Sequence, residues 1–261
     1  MQAMEATADH GKQTREIRLV CRAAQLVLEN GGETYRVEET ALRIAEGFRL
    51  QDVNIVAFPT SIFVSVGRHT DIRRITRRGT NTTRLAIVND VSRRIVRGEL
   101  DIDGAERELE AAAADSGWHQ ATLILAFGAA AASFSLLFGG TMGVLLITFL
   151  IGMLVQAVQP LFSNISMGAL FGNFTGGFLT AVLAQAAALL VPYGNVNAAI
   201  IGGIMPLLSG LLMTTAVRDT MYGDLISGIA RAVDALLIAG SVALGVYSGL
   251  KLMAMLAGGM L

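Results

Sequence analysis

From Thr14 onward, apolar residues return at three- and four-residue steps: Ile17, Val20, Cys21, Ala24, Val27 and Leu28. That spacing puts them on one helical face, and Gly31-Gly32 closes the run, so the pattern predicts a first amphipathic helix. A second is predicted from about Thr34, with Val37, Ala41, Ile44 and Phe48 on one side and Arg36, Glu39, Arg43 and Glu46 mainly on the other. The two are expected to pair across the glycines. The period then changes. VNIVAFPTSIFVSVG is rich in β-branched and aromatic residues with Pro59 inside it, and a polar Gly67 to Asp71 stretch and DIRRITRRG follow. This predicts short strands joined by turns, forming a small sheet over the helices. Leu85, Val88, Val91 and Ile95 restore a helical stripe, and DIDGAERELEAAAADSG reads as a last short helix. Residues 14–118 are therefore expected to form an α+β domain behind a flexible amino terminus at residues 1–13.

Beyond Trp118 the amphipathic pattern gives way to long apolar runs. A helix needs about 20 mostly apolar residues to cross a bilayer. Five stretches qualify, at roughly 119–138, 142–161, 169–192, 197–216 and 231–255, within a membrane domain of residues 119–261. The breaks between them are Gly139-Gly140, the Pro160 to Ser166 turn, Pro192-Tyr193-Gly194-Asn195 and the charged Val217 to Ala230 segment. The expected fold class is an α-helical integral membrane protein with five transmembrane helices, preceded by a small cytoplasmic α+β domain.

Composition supports this division. The 261 residues are 53% hydrophobic, with a mean hydropathy of +0.56 and a formal net charge of -1. Residues 1–118 hold 17 of the 20 Lys and Arg and 18 of the 21 Asp and Glu, leaving six charges for the last 143 residues. The charged part has no net basic field, which argues against nucleic-acid binding. A single Cys and three His in no ligand-like spacing point to no metal, cofactor or internal disulfide. The first fourteen residues contain Glu5, Asp9 and Lys12 and no apolar core of a secretory signal, so the amino terminus is expected in the cytoplasm. Arg218 and Arg231 flank the last connection, whereas the Gly139 and Pro192 turns carry no Lys or Arg. That asymmetry agrees with a cytoplasmic amino terminus and an outward carboxyl terminus, with Lys251 snorkelling near the outer end of the last span.

Candidate chemistry concentrates in the membrane half. Arg218, Asp219, Asp224, Arg231 and Asp234 are five of its six charges, and Asp234 lies three residues after Arg231 on the same helical face. A buried acid there can carry a proton and an arginine can hold a carboxylate; a solvated interfacial loop accounts for the same charges equally well. Asn173 and Thr175, with Gln156 and Gln185, are polar groups that either link helices or face a water-filled path. Pro206 removes a backbone hydrogen bond inside a span, the kind of break where transporters place binding groups or where a helix simply kinks. Gly168, Gly172 and Gly176, and then Gly245 and Gly249, recur every fourth residue and allow close helix packing. In the first domain, Arg73, Arg74, Arg77, Arg78, Arg93, Arg94 and Arg97 offer a basic face for lipid headgroups or a carboxylate, or a solvated surface. Glu33, Glu38 and Glu39 lack the company of a metal site and read as structural or surface groups.

Three segments resemble the threonine/serine exporter family, in its short split form that corresponds to the amino-terminal half. GGETYRVEETALRIAEGF is similar to the family's first signature, and PTSIFVSVG with the Arg-rich segment to its second. GGIMPLLSGLLMTTAVRDTMYGDLISGIARAVDALLIAGSVALGV matches its Pro, Asn/Thr-x-x-x-Asp and Gly-Asp-x-x-x-Gly-x-x-Arg pattern, with Met213-Thr214-Thr215 where an Asn is expected. The resemblance runs from about Arg18 to Lys251. It implies a cytoplasmic-membrane exporter of small polar metabolites, threonine and serine first; the charge cluster beside the fourth and fifth spans, for its part, motivates a mechanism in which Asp219 or Asp224 couples proton movement and Arg218 or Arg231 contacts a substrate carboxylate. It also implies a second, smaller membrane subunit, since the chain ends straight after its fifth span; a homo-oligomer stays open. Related split systems export dicarboxylates such as succinate. A membrane metabolite sensor is the rival from another class, while an intramembrane enzyme is disfavoured because Ser209 and His119 lack catalytic company.

Overall fold

The computed structural model describes residues 2–76, 79–115, 117–162, 168–190 and 194–258. Two compact units emerge, one joining residues 1–117 to 212–232 and the other joining 118–211 to 233–261. This grouping differs from a single cut near Trp118. Leu212 to Ala232 joins the first unit, where Arg218, Asp219 and Arg231 find partners.

In the first unit, α1 (Gln2–Glu29) is the central element. It begins where the sequence suggests a flexible terminus, in a run of Ala, Glu, Met and Gln that favours helix without an apolar stripe. Further along, Leu19, Ala23 and Leu26 are buried in addition to the predicted stripe, because neighbours cover α1 on several sides. Those neighbours are α2 (Thr34–Gly47), α3 (Thr82–Val96), α4 (Ile102–Ala114) and a sheet of β1 (Val53–Phe58), β2 (Ser61–Val66) and β3 (His69–Arg74).

The sheet is an antiparallel meander in which Phe58 pairs with Ser61 and Val66 with His69, leaving Pro59-Thr60 and Gly67-Arg68 as two-residue turns. β3 thus starts inside the polar stretch expected to be a turn, since Gly67 with its positive φ of 57° needs only one further residue to reverse the chain. Ile55, Ala57, Ile62, Val64 and Val66 face the helices. Asn81 caps α3 through the Arg84 amide at 3.0 Å, and Asp101 caps α4 through the Gly104 amide at 2.8 Å.

The second unit contains α5 (Gln120–Leu137), α6 (Met142–Val158), α7 (Gly168–Leu190), α8 (Val196–Ile204) and the greater part of α10 (Leu225–Gly258); α9 (Gly210–Met221) belongs mainly to the first. Among the described residues, four helices are long and apolar enough to cross a membrane, and a fifth span exists if Val196–Leu207 and Gly210–Met221 count as one. The continuous helix expected at 197–216 is therefore corrected to two helical segments bent by 53° at a short break. Pro206 sits in a 3-10 turn, Met205–Leu207, and Leu208 is extended, so the ladder stops where proline offers no N–H. The 160–166 and 192–193 turns lie largely outside the described residues.

Side chains such as Leu137, Leu190, Leu236 and Leu244 are more than half exposed, an arrangement suited to lipid rather than water. At 34 residues, α10 is about 50 Å long, well beyond a hydrocarbon core of about 30 Å. Backbone contact ties α7 to α10: a Cβ on Gly177 would stand 2.5 Å from the Val242 carbonyl, and Gly245 and Gly249 meet the Phe174 and Phe178 carbonyls. Gly172 instead faces the Gln159 side chain and Gly176 faces Leu207, while Gly168 only begins α7. The row of glycines is thus shared among different neighbours rather than forming one seam. Gly245→Val should lower the melting temperature in detergent by at least about 5 °C, whereas Gly240→Val, which has nothing within 4 Å, should leave it unchanged.

Candidate functional site

A helix starts with backbone N–H groups that have no partner inside it. In α2 the N-cap residue Glu33 is extended, at φ -66° and ψ 150°, and its side chain makes no capping bond. The missing acceptor comes from α9. Asp219 Oδ1 accepts the Thr34 N–H at 3.0 Å and Oδ2 accepts the Thr34 hydroxyl at 3.1 Å. Asp219 is completely buried, and its negative charge lies at the positive end of α2.

A buried carboxylate also needs a counter-charge. Arg231, on the first turns of α10 and likewise buried, places Nε 2.8 Å from Asp219 Oδ2 as a charge pair. Its Nη2 donates to the Gly32 carbonyl at 2.8 Å. Two outer contacts surround this pair. Arg218 Nη1 donates to Glu33 Oε1 at 2.6 Å, and the rings of Tyr35 and Tyr222 stack with centroids 3.9 Å apart. The segment from Gly32 to Tyr35 is therefore gripped by Arg218, Asp219, Tyr222 and Arg231.

The grip depends on a tight reversal between α9 and α10. Gly223 adopts φ 95°, and the Asp224 N–H returns to the Asp219 carbonyl at 2.8 Å. Gly228 then lets α10 lie directly on α9, where a Cβ would stand 2.9 Å from the Ala216 carbonyl. This close approach brings Arg231 back to Asp219. The glycines of the Gly-Asp-x-x-x-Gly-x-x-Arg spacing are explained by that geometry.

Electrostatics separate the carboxyls by task. Burial pushes Glu33 up, but its own N–H, Arg218 and Arg36 outweigh it, and the group is held below its ordinary value. Glu38 moves the other way. Burial raises it, the Ala57 N–H at 2.9 Å opposes this, and the negative charge of Asp224 adds to the rise. Asp219 is tied to an arginine and a helix terminus, which makes it an anchor. Asp224 is raised as well, by burial and by the negative charge of Asp219.

The structure thus brings Arg218, Asp219 and Arg231 together and sets Asp224 beside Glu38. Asp234 stands on the continuation of α10 in the second unit, as do Asn173 and Thr175, half-buried on α7, and Pro206 in its 3-10 turn. Of the basic face, Arg73 pairs with Asp71, Arg93 with Asp90, Arg94 with Asp90 and Glu108, and Arg97 with Glu99. Its charge is largely neutralised; Arg77 and Arg78 lie outside the described residues. Glu39 pairs with Arg43. No group of three or more His, Cys, Asp or Glu suited to a metal occurs among the described residues. Gly32, Thr34, Tyr35 and Tyr222 were not legible as site residues, although a helix start without Ser, Asp or Asn at its cap position signals a borrowed one.

A family model described as "Putative threonine/serine exporter" matches residues 18–253, which takes in both halves of the grip. The chain belongs to the threonine/serine exporter family. A protein of Mycobacterium tuberculosis named "Probable threonine/serine exporter" is 26% identical over 240 residues. The alignment covers 89% of this chain and 45% of that protein, so the chain spans about half the length of this exporter-family relative. No solved structure matches.

Asp219→Ala should uncap α2 and strand the Arg231 charge, at a cost of about 3–5 kcal/mol. Hydrogen exchange should then show faster loss of protection at residues 33–37, with a smaller effect for Asp219→Asn. Because Glu33 is held below its reference value of 4.5, its contact with Arg218 contributes fully above that pH and is lost as pH falls through the lower folded value. The melting temperature of Arg218→Gln should accordingly differ from wild type at pH 7 and converge with it in acid below pH 4.5.

Proposed function

We propose that this chain is a subunit of a cytoplasmic-membrane exporter of small polar metabolites, with threonine and serine as first substrates and the proton gradient as driving force. Membership of the exporter family over residues 18–253 carries the reading. The grip adds a mechanical part to it. α9 follows the break at Pro206, and its far end is fastened to α2 through Asp219, Thr34 and Arg231. A movement of α9 during alternating access is then passed to the charged unit, or is driven by it.

In this reading the amino terminus is cytoplasmic, five spans cross the membrane and the carboxyl terminus faces outward. A second, smaller membrane subunit works with the chain. Asp224, beside the raised Glu38, takes and releases the coupling proton, while Asp219 stays in its charge pair with Arg231. Support for these roles comes from the different surroundings of the carboxyls: one locked in a charge pair, the others close together and partly desolvated. Export of a dicarboxylate such as succinate is the alternative substrate, motivated by the arginines of the same segment.

Efflux of preloaded threonine, serine and succinate from cells making this chain, with and without the second subunit, tests the proposal. Partner-dependent threonine or serine efflux that stops when the proton gradient is collapsed is expected, with Asp224→Asn slowing it at least about 10-fold. Absence of efflux with both proteins in the membrane would sink the export reading. Wild-type efflux by Asp224→Asn would remove that residue from coupling.

A further inference from the structure

The charged unit has a cavity of about 310 Å³ that shares no lining residue with the grip. One wall is α1 with Arg18 and Arg22, and the other is α4 with Glu106 and Glu110; Arg73 of β3 closes one side. Leu19 and Leu109, both almost completely buried, supply an apolar floor. The volume is at the lower end of the range for small-molecule sites.

Several of these charges already have partners. Arg73 donates to Asp71 through Nε at 3.0 Å and Nη2 at 2.8 Å, and Glu106 accepts Arg15 at 2.7 Å. Arg18, Arg22 and Glu110, by contrast, make no side-chain hydrogen bond or ion pair among the described residues. Arg18 and Arg22 stand one turn apart on α1, so the two cations repel each other, and Glu106 and Glu110 repeat the situation with negative charge on α4. Opposite walls carry opposite charges, yet nothing bridges Arg18 or Arg22 to Glu110.

We propose that this cavity binds a small zwitterionic α-amino acid. Its carboxylate is held between Arg18 and Arg22, its ammonium lies against Glu110 with Glu106 behind, and its side chain meets Leu19 and Leu109. A planar guanidinium fork matches a carboxylate in geometry, which two neighbouring arginines reinforce. A dicarboxylate satisfies the cationic wall but presents its second charge to the glutamates, so the cavity discriminates against it. The site lies on the charged unit and its existence stands independently of the export reading; within that reading it makes the unit a sensor of amino-acid concentration.

The test is calorimetric titration of the full-length protein in detergent with L-threonine, L-threoninamide and succinate. Saturable binding of threonine is expected, with at least 10-fold weaker binding of the amide, which lacks the carboxylate, and of succinate. The double variant Arg18→Gln/Arg22→Gln should weaken threonine at least 10-fold. Glu110→Gln should do the same while leaving succinate unchanged or tighter. All three residues line an open cavity and anchor no core contact, so melting temperatures should match wild type. No threonine binding, or threonine binding unaltered in both variants, would overturn the proposal. Efflux measured in the same variants separates the two readings: retained efflux with lost binding leaves export standing without the sensor, and retained binding without efflux does the reverse.

Discussion

A fully buried aspartate at the end of α9 organises the charged unit. Asp219 cannot be removed from water without a counter-charge and hydrogen-bond donors, and both requirements are met by groups far from it in sequence: Arg231 on α10 and the amide and hydroxyl of Thr34 on α2. Each of these has its own unmet need. Helix α2 begins without a local cap, and Arg231 is itself buried. One carboxylate resolves all three, so loss of any member leaves the others exposed to the full cost of desolvation.

This interdependence explains why Leu212 to Ala232 folds with the amino-terminal domain despite lying between apolar helices in the sequence. Hydrophobicity alone would assign its ends to the bilayer. Three of its charges outweigh that preference, because Arg218, Asp219 and Arg231 each find a partner on α2, in the Gly32 turn before it, or within the α9–α10 hairpin. The glycines serve the same end. Gly223 turns the chain and Gly228 admits close contact of α9 and α10, which sets Arg231 at its distance from Asp219. Elsewhere, glycines at Gly177, Gly245 and Gly249 let α7 and α10 approach through their backbones, where dispersion contact replaces the hydrophobic effect that lipid cannot supply.

The helical ladder is interrupted at Pro206, and the charge pair fastens α9 to α10. Acids that stay ionised and acids that are pushed towards the neutral form sit within a few residues of each other, separated by what surrounds them rather than by residue type. Conversely, the arginines of the basic face, conspicuous in sequence, are mostly consumed by neighbouring carboxylates, while Arg18 and Arg22, inconspicuous in sequence, face an open cavity.

Hydrophobic period and charge distribution determined by themselves that the chain has an amphipathic α+β part and a set of long apolar helices, because those patterns follow from local geometry and the thickness of a bilayer. The five-charge segment stood out for the same reason: charge is costly among apolar residues wherever the chain goes. Its partners did not. Arg231 reaches back across a turn to Asp219, and Asp219 reaches α2 over 185 positions. Only tertiary structure decided these contacts, since a buried charge is satisfied by whichever group the packing brings within hydrogen-bond distance, and sequence separation places no limit on that choice.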